Sequence, residues 1–499
     1  MKYLFITILL WPSSVFSQQV TYSDYERQDV RSANFEVIGK MNNNFLVYKN
    51  FGKKHTISIY DNDMKVKENV ELDFISSKTF NIDFITYPDF FYMIYQYQKK
   101  SILYCMAAKI DGNGKKMAEP FILDTTHISI FADNKIYNTI SSEDKQKVMV
   151  FKIRKKNEIH NILTVLLDNQ LQLIKKDQQT IESDEQRDNY GDFLLDNDGN
   201  FVFTLATQSG NRDYSSTLQL ISKSPLQDTF AYHNIDLDKK YIDDVKLKVD
   251  NLNDRYTINS FYYTKSRGNI EGLFTYIWDQ KNNQKYASAF TQFNDSLRKE
   301  AKSDEAMRFA FNDFFINQVI SRKDGGFLLL SEDYSSQTRG SFGNPFNRWN
   351  YLGNTYSSFP NSYYYNNRYY RYYTPGRNME NTRYYYSNIM VLSIDKNGSL
   401  EWSKVIHKNQ VDDNNDSFLS YFTMNSGGEL HFLFNSDSKN QVIMDYSVAA
   451  DASLKRNATL KSLEKGYEFM PRLTKQVGAK QLIVPCSYRG RICFAKIDF

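Results

Sequence analysis

One unit recurs along the chain and limits what it can fold into. The unit is a strand, a tight Gly/Asn/Asp turn, an apolar strand, a variable loop, a strand ending in Asp-x-x-x, and a last, more polar strand. Clear copies occupy 35–72, 316–406 and 421–460, and weaker ones start near Asn81, Phe131, Gly191 and Val245. The starts recur about every 45–60 residues, the length of a four-stranded propeller blade. A single such sheet cannot bury both of its faces, whereas radial stacking buries them and leaves only short edges.

The individual runs agree with this period. Segments such as NFLVYKNF, FFYMIYQY, NFVFTLAT and LHFLFNS are short, aromatic and β-branched, and DGNG (111–114), DNDGN (196–200), KDGG (323–326), DKNG (395–398) and NSGG (425–428) punctuate them. Such spacing predicts an all-β chain. We expect a β-propeller of four-stranded blades, eight in number, with seven as the alternative because 130–185 is irregular. The last unit (468–499) stops after three strands, and QVTYSDYERQDV (19–30) is placed to supply the missing one. No Pro/Gly/Ser linker divides the chain, so 18–499 reads as one domain. The single helical candidate is SDEAMRFAFNDFF (303–315).

The first 17 residues read as an export signal. A positive start at Lys2, the apolar run Tyr3–Trp11 and the small residues of PSSVFS fit cleavage after Ser17. The apolar run is too short to span a bilayer, and no later stretch approaches the length required. The expected location is therefore periplasmic or extracellular. A net charge of +4 over 499 residues carries no protein-wide footprint for nucleic acid.

The segment DGGFLLLSEDY…NIMVLSIDKNGSLEWSKVIHKNQ resembles a pattern in exported β-propeller-like proteins of Bacteroidota. Asp395, Gly398 and Trp402 match its D-x-x-G-x-x-x-W strand end, and Gly325 and Gly326 match its Gly-rich hairpin. The resemblance is specific over about 316–410 and generic elsewhere. It implies a fold and an exported location and carries over no catalytic residue.

Local chemistry is sparse. The six histidines are scattered singly and read as surface or packing residues, and no nucleophile elbow, zinc motif or phosphate loop occurs. No catalytic or metal residue is expected. Asp111–Gly114 and Asp196–Asn200 carry calcium-type oxygens but lack a downstream bidentate Glu. Hairpin turns are the stronger reading and calcium the weaker one. The pairs Asp243–Asp244 and Asp412–Asp413 read as solvated charges at unit boundaries. Cys486 and Cys493 flank an Arg489–Gly490 turn, which makes them facing residues. They are a candidate disulfide in an oxidising compartment, or else two small core residues. Cys105 reads as core.

A Tyr/Arg-rich stretch stands apart. Residues 361–386 hold ten tyrosines and four arginines, and 335–379 contain five arginines with no lysine or acid. Removing it restores its unit to ordinary length, so 335–386 reads as a loop insertion. Tyrosine faces and forked guanidinium groups suit anionic glycans, phosphates or protein surfaces. The candidate binding residues are Tyr363, Tyr364, Tyr365, Arg368, Tyr369, Tyr370, Arg371, Tyr372 and Tyr373. The expected role is a non-catalytic binding or scaffold protein of the cell envelope, recognising a protein or a glycan and not nucleic acid. The alternative is a propeller-fold glycoside hydrolase or lyase with carboxylates drawn from several blades.

Overall fold

The computed structural model describes residues 19–26, 34–51, 54–76, 78–129, 136–156, 158–182, 187–210, 214–302, 309–338, 382–413, 416–436, 442–461 and 466–499. Among these, strands pair antiparallel in a propeller-like series of seven sheets, three of four strands, three of five and one of nine. The first sheet runs Asn34–Met41, Asn44–Phe51, Lys54–Tyr60 and Val66–Glu71, in chain order across the sheet. The second runs from Phe80–Thr86 to Phe121–His127. The third runs from Tyr137–Ser141 to Leu173–Glu182 and is regular, although the sequence there looked irregular.

Residues 188–292 form a single nine-stranded sheet, because the short strand Tyr241–Ile242 bridges two four-stranded halves. A sheet from Phe314–Ser321 to Leu400–Ile406 follows, and then one from Phe422–Ser426 to Leu454–Arg456. The last sheet takes Gln481–Tyr488 and Arg491–Asp498 from the C-terminus and pairs Gln19–Tyr22 onto the latter.

Side-chain alternation explains the stacking. In Asn44–Phe51, Leu46 and Tyr48 pack toward the second sheet, while Phe45 and Val47 pack toward the last one. In Phe90–Lys99, Phe91, Met93 and Tyr95 face the first sheet, and Tyr92 and Ile94 face the third. Successive residues of a strand point to opposite faces, so an unbroken apolar run serves two layers at once. Outermost strands have no such duty: Val66–Glu71 is exposed almost throughout. One of these layers joins Phe35 and Tyr60 to Ile483 and Phe494, linking the first sheet to the one that pairs Gln19–Tyr22 with Arg491–Asp498.

The Asp-x-x-x strand ends are self-capped turns. Asp61, Asp111, Asp168 and Asp395 each accept, at one Oδ1, the backbone N–H groups two and four residues on, at 2.8–2.9 Å. The residue three after each aspartate has positive φ: Met64, Gly114, Leu171 and Gly398. Glycine suits that position, but Met64 and Leu171 accept it because their side chains are buried between sheets. Asp196 caps its DNDGN turn in the same way.

Three readings from the sequence change. Of the helical candidate 303–315, residues 303–308 lie outside the described residues, 310–313 form turn and 314–315 already belong to a strand; the α-helix among the described residues lies at Asp295–Ala301, with the Asn294 side chain accepting from Leu297 N. Periodicity could not separate an apolar turn from a helix at 310–313. Asp243 and Asp244 are buried, not solvated. Asp243 accepts from the Tyr263 hydroxyl at 2.5 Å, and Asp244 accepts from Ile316 N at 2.7 Å, tying one unit to the next. The end of the tyrosine-rich stretch is strand rather than loop. Tyr384, Tyr385 and Tyr386 pair with Ser336, Ser335 and Tyr334 in an extended hairpin.

Candidate functional site

The first strands of successive units lie side by side, and five of them enclose a cavity of about 520 Å³. Phe80–Thr86, Tyr137–Ser141, Asp188–Leu195, Lys246–Asp250 and Phe314–Ser321 form its wall. A second cavity of about 250 Å³ shares Phe84, Ile85, Ser141 and Lys145 with it and reaches Glu36 and Lys475. Three of the five wall strands carry a register irregularity, at 80–83, 191–194 and 316–318. Such bulges re-aim side chains relative to the regular pleat and are common beside functional sites.

Asp192 sits in the second of these irregularities with φ at +27°. Its Oδ2 accepts Leu247 N at 2.8 Å from the neighbouring wall strand. Burial pushes its carboxyl above the usual carboxylate range, Lys246 opposes that shift, and Asp244 adds to it. A strained backbone with a destabilised charge is a combination found at binding and catalytic sites. Asn138, on the adjacent wall strand, is 2% exposed, and its Oδ1 has no hydrogen-bond partner. A buried carbonyl oxygen left in that state costs free energy that a ligand donor can recover.

The mouth is held by contacts between turns. Lys145 donates to Thr86 O at 2.7 Å, and Asn251 donates to Glu143 at 2.9 Å. The lining mixes Asp83, Glu143 and Asp192 with Lys145, Lys246 and Lys248, interleaved with Phe84, Ile140, Leu194 and Val319. Alternating apolar and hydrogen-bonding groups at such a surface suit a polar organic ligand with exposed C–H faces.

Other predicted residues fall elsewhere. Tyr363, Tyr364, Tyr365, Arg368, Tyr369, Tyr370, Arg371, Tyr372 and Tyr373 lie outside the described residues, as do residues 1–18, where the export signal is expected. Cys486 and Cys493 do face each other, fully buried, as thiols with their sulfur atoms 2.8 Å apart. Asp111 and Asp196 spend carboxylate oxygens on their own turns, and among the described residues no three His, Cys, Asp or Glu side chains converge as a metal site. His55 meets the Tyr48 hydroxyl at 2.6 Å and His160 meets that of Tyr190 at 3.1 Å, which are packing roles. The cavity residues carried no motif in the sequence. They come from strands spread over more than 200 positions, and the only local signal was a polar residue inside an otherwise apolar first strand.

No family profile matches the chain, and no curated protein does. Similar solved structures include a prolyl endopeptidase (8% identity, TM-score 0.41, covering 92% of this chain and 55% of that one). Saccharomyces cerevisiae Sqt1 is similar at 9% identity and TM-score 0.40, covering 95% of this chain and 97% of that one. Polysaccharide lyase Uly1 is similar at 9% identity and TM-score 0.41, covering 83% and 89%. The chain thus spans about half the length of the prolyl endopeptidase it resembles. No site residue is carried over from any of them.

Proposed function

We propose that the chain is an exported, eight-bladed β-propeller that binds a cell-surface glycan or an envelope protein in the cavity between its first strands. The nine-stranded sheet counts as two blades in this reading. Gln19–Tyr22 completes the last blade, with Val20 and Tyr22 packed into the layer beside it. Hydrogen bonds between neighbouring first strands support a closed ring: Thr423 to Gln318, Asn425 to Gln476, and Lys475 to Ile38 O. The observation that carries the binding role is the cavity itself, where Asn138 keeps an unsatisfied oxygen and Asp192 a destabilised carboxylate. The Tyr/Arg-rich stretch is proposed as a second contact.

The enzyme reading is favoured by one observation. Asp83, Glu143 and Asp192 come from three units and line the same cavity, as carboxylates of a glycoside hydrolase or lyase would.

The test is glycan-array and envelope-extract capture with three proteins. These are the mature protein, a variant carrying Asn138→Ala and Asp192→Ala, and one with 341–379 replaced by a short linker. The last deletion spares the 334–338/382–386 ladder. The cavity variant should lose the ligand and the deletion should retain it. Retention by the cavity variant together with loss in the deletion would move the site to the stretch. Product release from a captured glycan would favour the enzyme.

A further inference from the structure

Ser426, His431 and Asp445 lie on three consecutive strands of one sheet, Phe422–Ser426, Glu429–Asn435 and Val442–Ala449. Register pairs Ser426 with Glu429 and His431 with Ser447, so Ser426 and Asp445 each stand diagonal to His431 on one face. The Ser426 hydroxyl lies 3.0 Å from His431 Nε2, and His431 Nδ1 lies 2.9 Å from Asp445 Oδ1. Asp445 is fully buried, the His431 side chain is 12% exposed, and Ser426 is half-buried at the rim. The orienting group is thus buried, while the base and the hydroxyl both keep partial exposure.

Gly427 and Gly428 follow with φ of +65° and +124°, and a Cβ built on either would meet nothing within 4 Å. The turn that follows Ser426 therefore has open space beside it. Met424 and Leu433 belong to the apolar layer between this sheet and the last one, which fixes the strand positions on which the three polar groups stand.

We propose that Ser426 is a nucleophile for short-chain acyl esters, with His431 as its general base and Asp445 as the positioning residue. A buried Asp445 carboxylate accepts the Nδ1–H and so leaves the Nε2 lone pair facing the Ser426 hydroxyl. As Oγ bonds to the ester carbonyl carbon, its proton moves to Nε2. The tetrahedral intermediate then collapses with cleavage of the bond to the leaving alkoxide, which takes the proton from His431. Water, deprotonated by His431, attacks the acyl-serine; the carboxylic acid leaves and Oγ recovers its proton. The open space beside the Gly427–Gly428 turn suits a small acyl group such as acetyl. This activity goes beyond the binding role and uses none of the cavity residues.

The test treats the folded mature protein with a fluorophosphonate probe and maps the adduct by mass spectrometry, alongside hydrolysis of p-nitrophenyl acetate. The adduct is expected on Ser426, absent in Ser426→Ala, and formed about 100-fold or more slowly in His431→Gln. Asp445→Asn should lower kcat with KM little changed and alter the pH profile, a response that loss of packing alone would not give. Because Asp445 is buried, the two rim variants decide the matter if that protein fails to fold. Absence of a Ser426 adduct in folded protein, or equal labelling in His431→Gln, overturns the assignment.

Discussion

Lys49 and Glu26 offer a sharp test of how the segment after Gln19–Tyr22 is held. Lys49 is 2% exposed and pairs with Glu26, which lies just beyond the N-terminal strand Gln19–Tyr22. Its ammonium also donates to the Tyr60 hydroxyl at 2.6 Å and lies 5.1 Å and 5.4 Å from the Tyr60 and Phe494 rings. Burial lowers the Lys49 pKa, and Glu26 opposes that shift. Glu26→Gln removes the counter-charge and leaves the ammonium buried, a change that costs about 3–5 kcal/mol in comparable pairs. Glu26 is 26% exposed, so water partly replaces it, and the low end, about 3 kcal/mol, applies. Lys49→Met removes the charge and keeps the volume, so it should be neutral or stabilising by about 1 kcal/mol. For a cooperative unit of this size the unfolding entropy is about 1 kcal/mol per kelvin, so Glu26→Gln should lower Tm by about 3 °C. Differential scanning calorimetry measures both variants and the double variant, which should resemble Lys49→Met alone. The Glu26→Gln penalty should also shrink as pH rises toward the lysine's unfolded value of about 10.4, because a neutral amine needs no counter-ion. If Glu26→Gln is silent, or Lys49→Met costs as much, the N-terminal segment is not held as described.

Four further outcomes are expected. Burial raises the Asp192 carboxyl above its unfolded value of about 3.9, so its ionised form weighs against the folded state. Asp192→Asn should therefore be more stable than the parent at pH 7, with the difference fading as pH falls toward 4; a gap constant with pH refutes the burial argument. Asp395→Ala, whose carboxylate serves an exposed turn, should cost about 1 kcal/mol, whereas Asp196→Ala should cost about 3 kcal/mol. The larger figure reflects the Tyr256 hydroxyl at 2.7 Å and the Gln280 amide at 2.8 Å, which also lean on Asp196. Millimolar calcium should leave Tm unchanged in the parent, and a clear rise would restore the calcium reading of these turns. The facing Cys486 and Cys493 should be joined in protein recovered from an oxidising compartment. Denatured protein should then alkylate only at Cys105 until reductant is added, and labelling of all three cysteines without reductant would disprove the bridge.

Period and turn chemistry were local properties, and they sufficed for the class of fold. A run such as FLVY, apolar at every position, announces a strand buried on both faces, and DKNG announces where it turns. Turn copies with Met64 and Leu171 in place of glycine were harder to see, because burial between sheets compensates a backbone strain that no sequence rule anticipates. The same limit hid the sites. Asp192, Asn138 and Lys248 share a cavity only because successive first strands stand side by side, and Ser426, His431 and Asp445 meet only because cross-strand register aligns them. The sequence by itself determined strands, turns, their period and two cysteines facing across a hairpin. Which polar groups became neighbours was decided by the tertiary structure, since register and stacking bring together residues whose separation along the chain carries no signal.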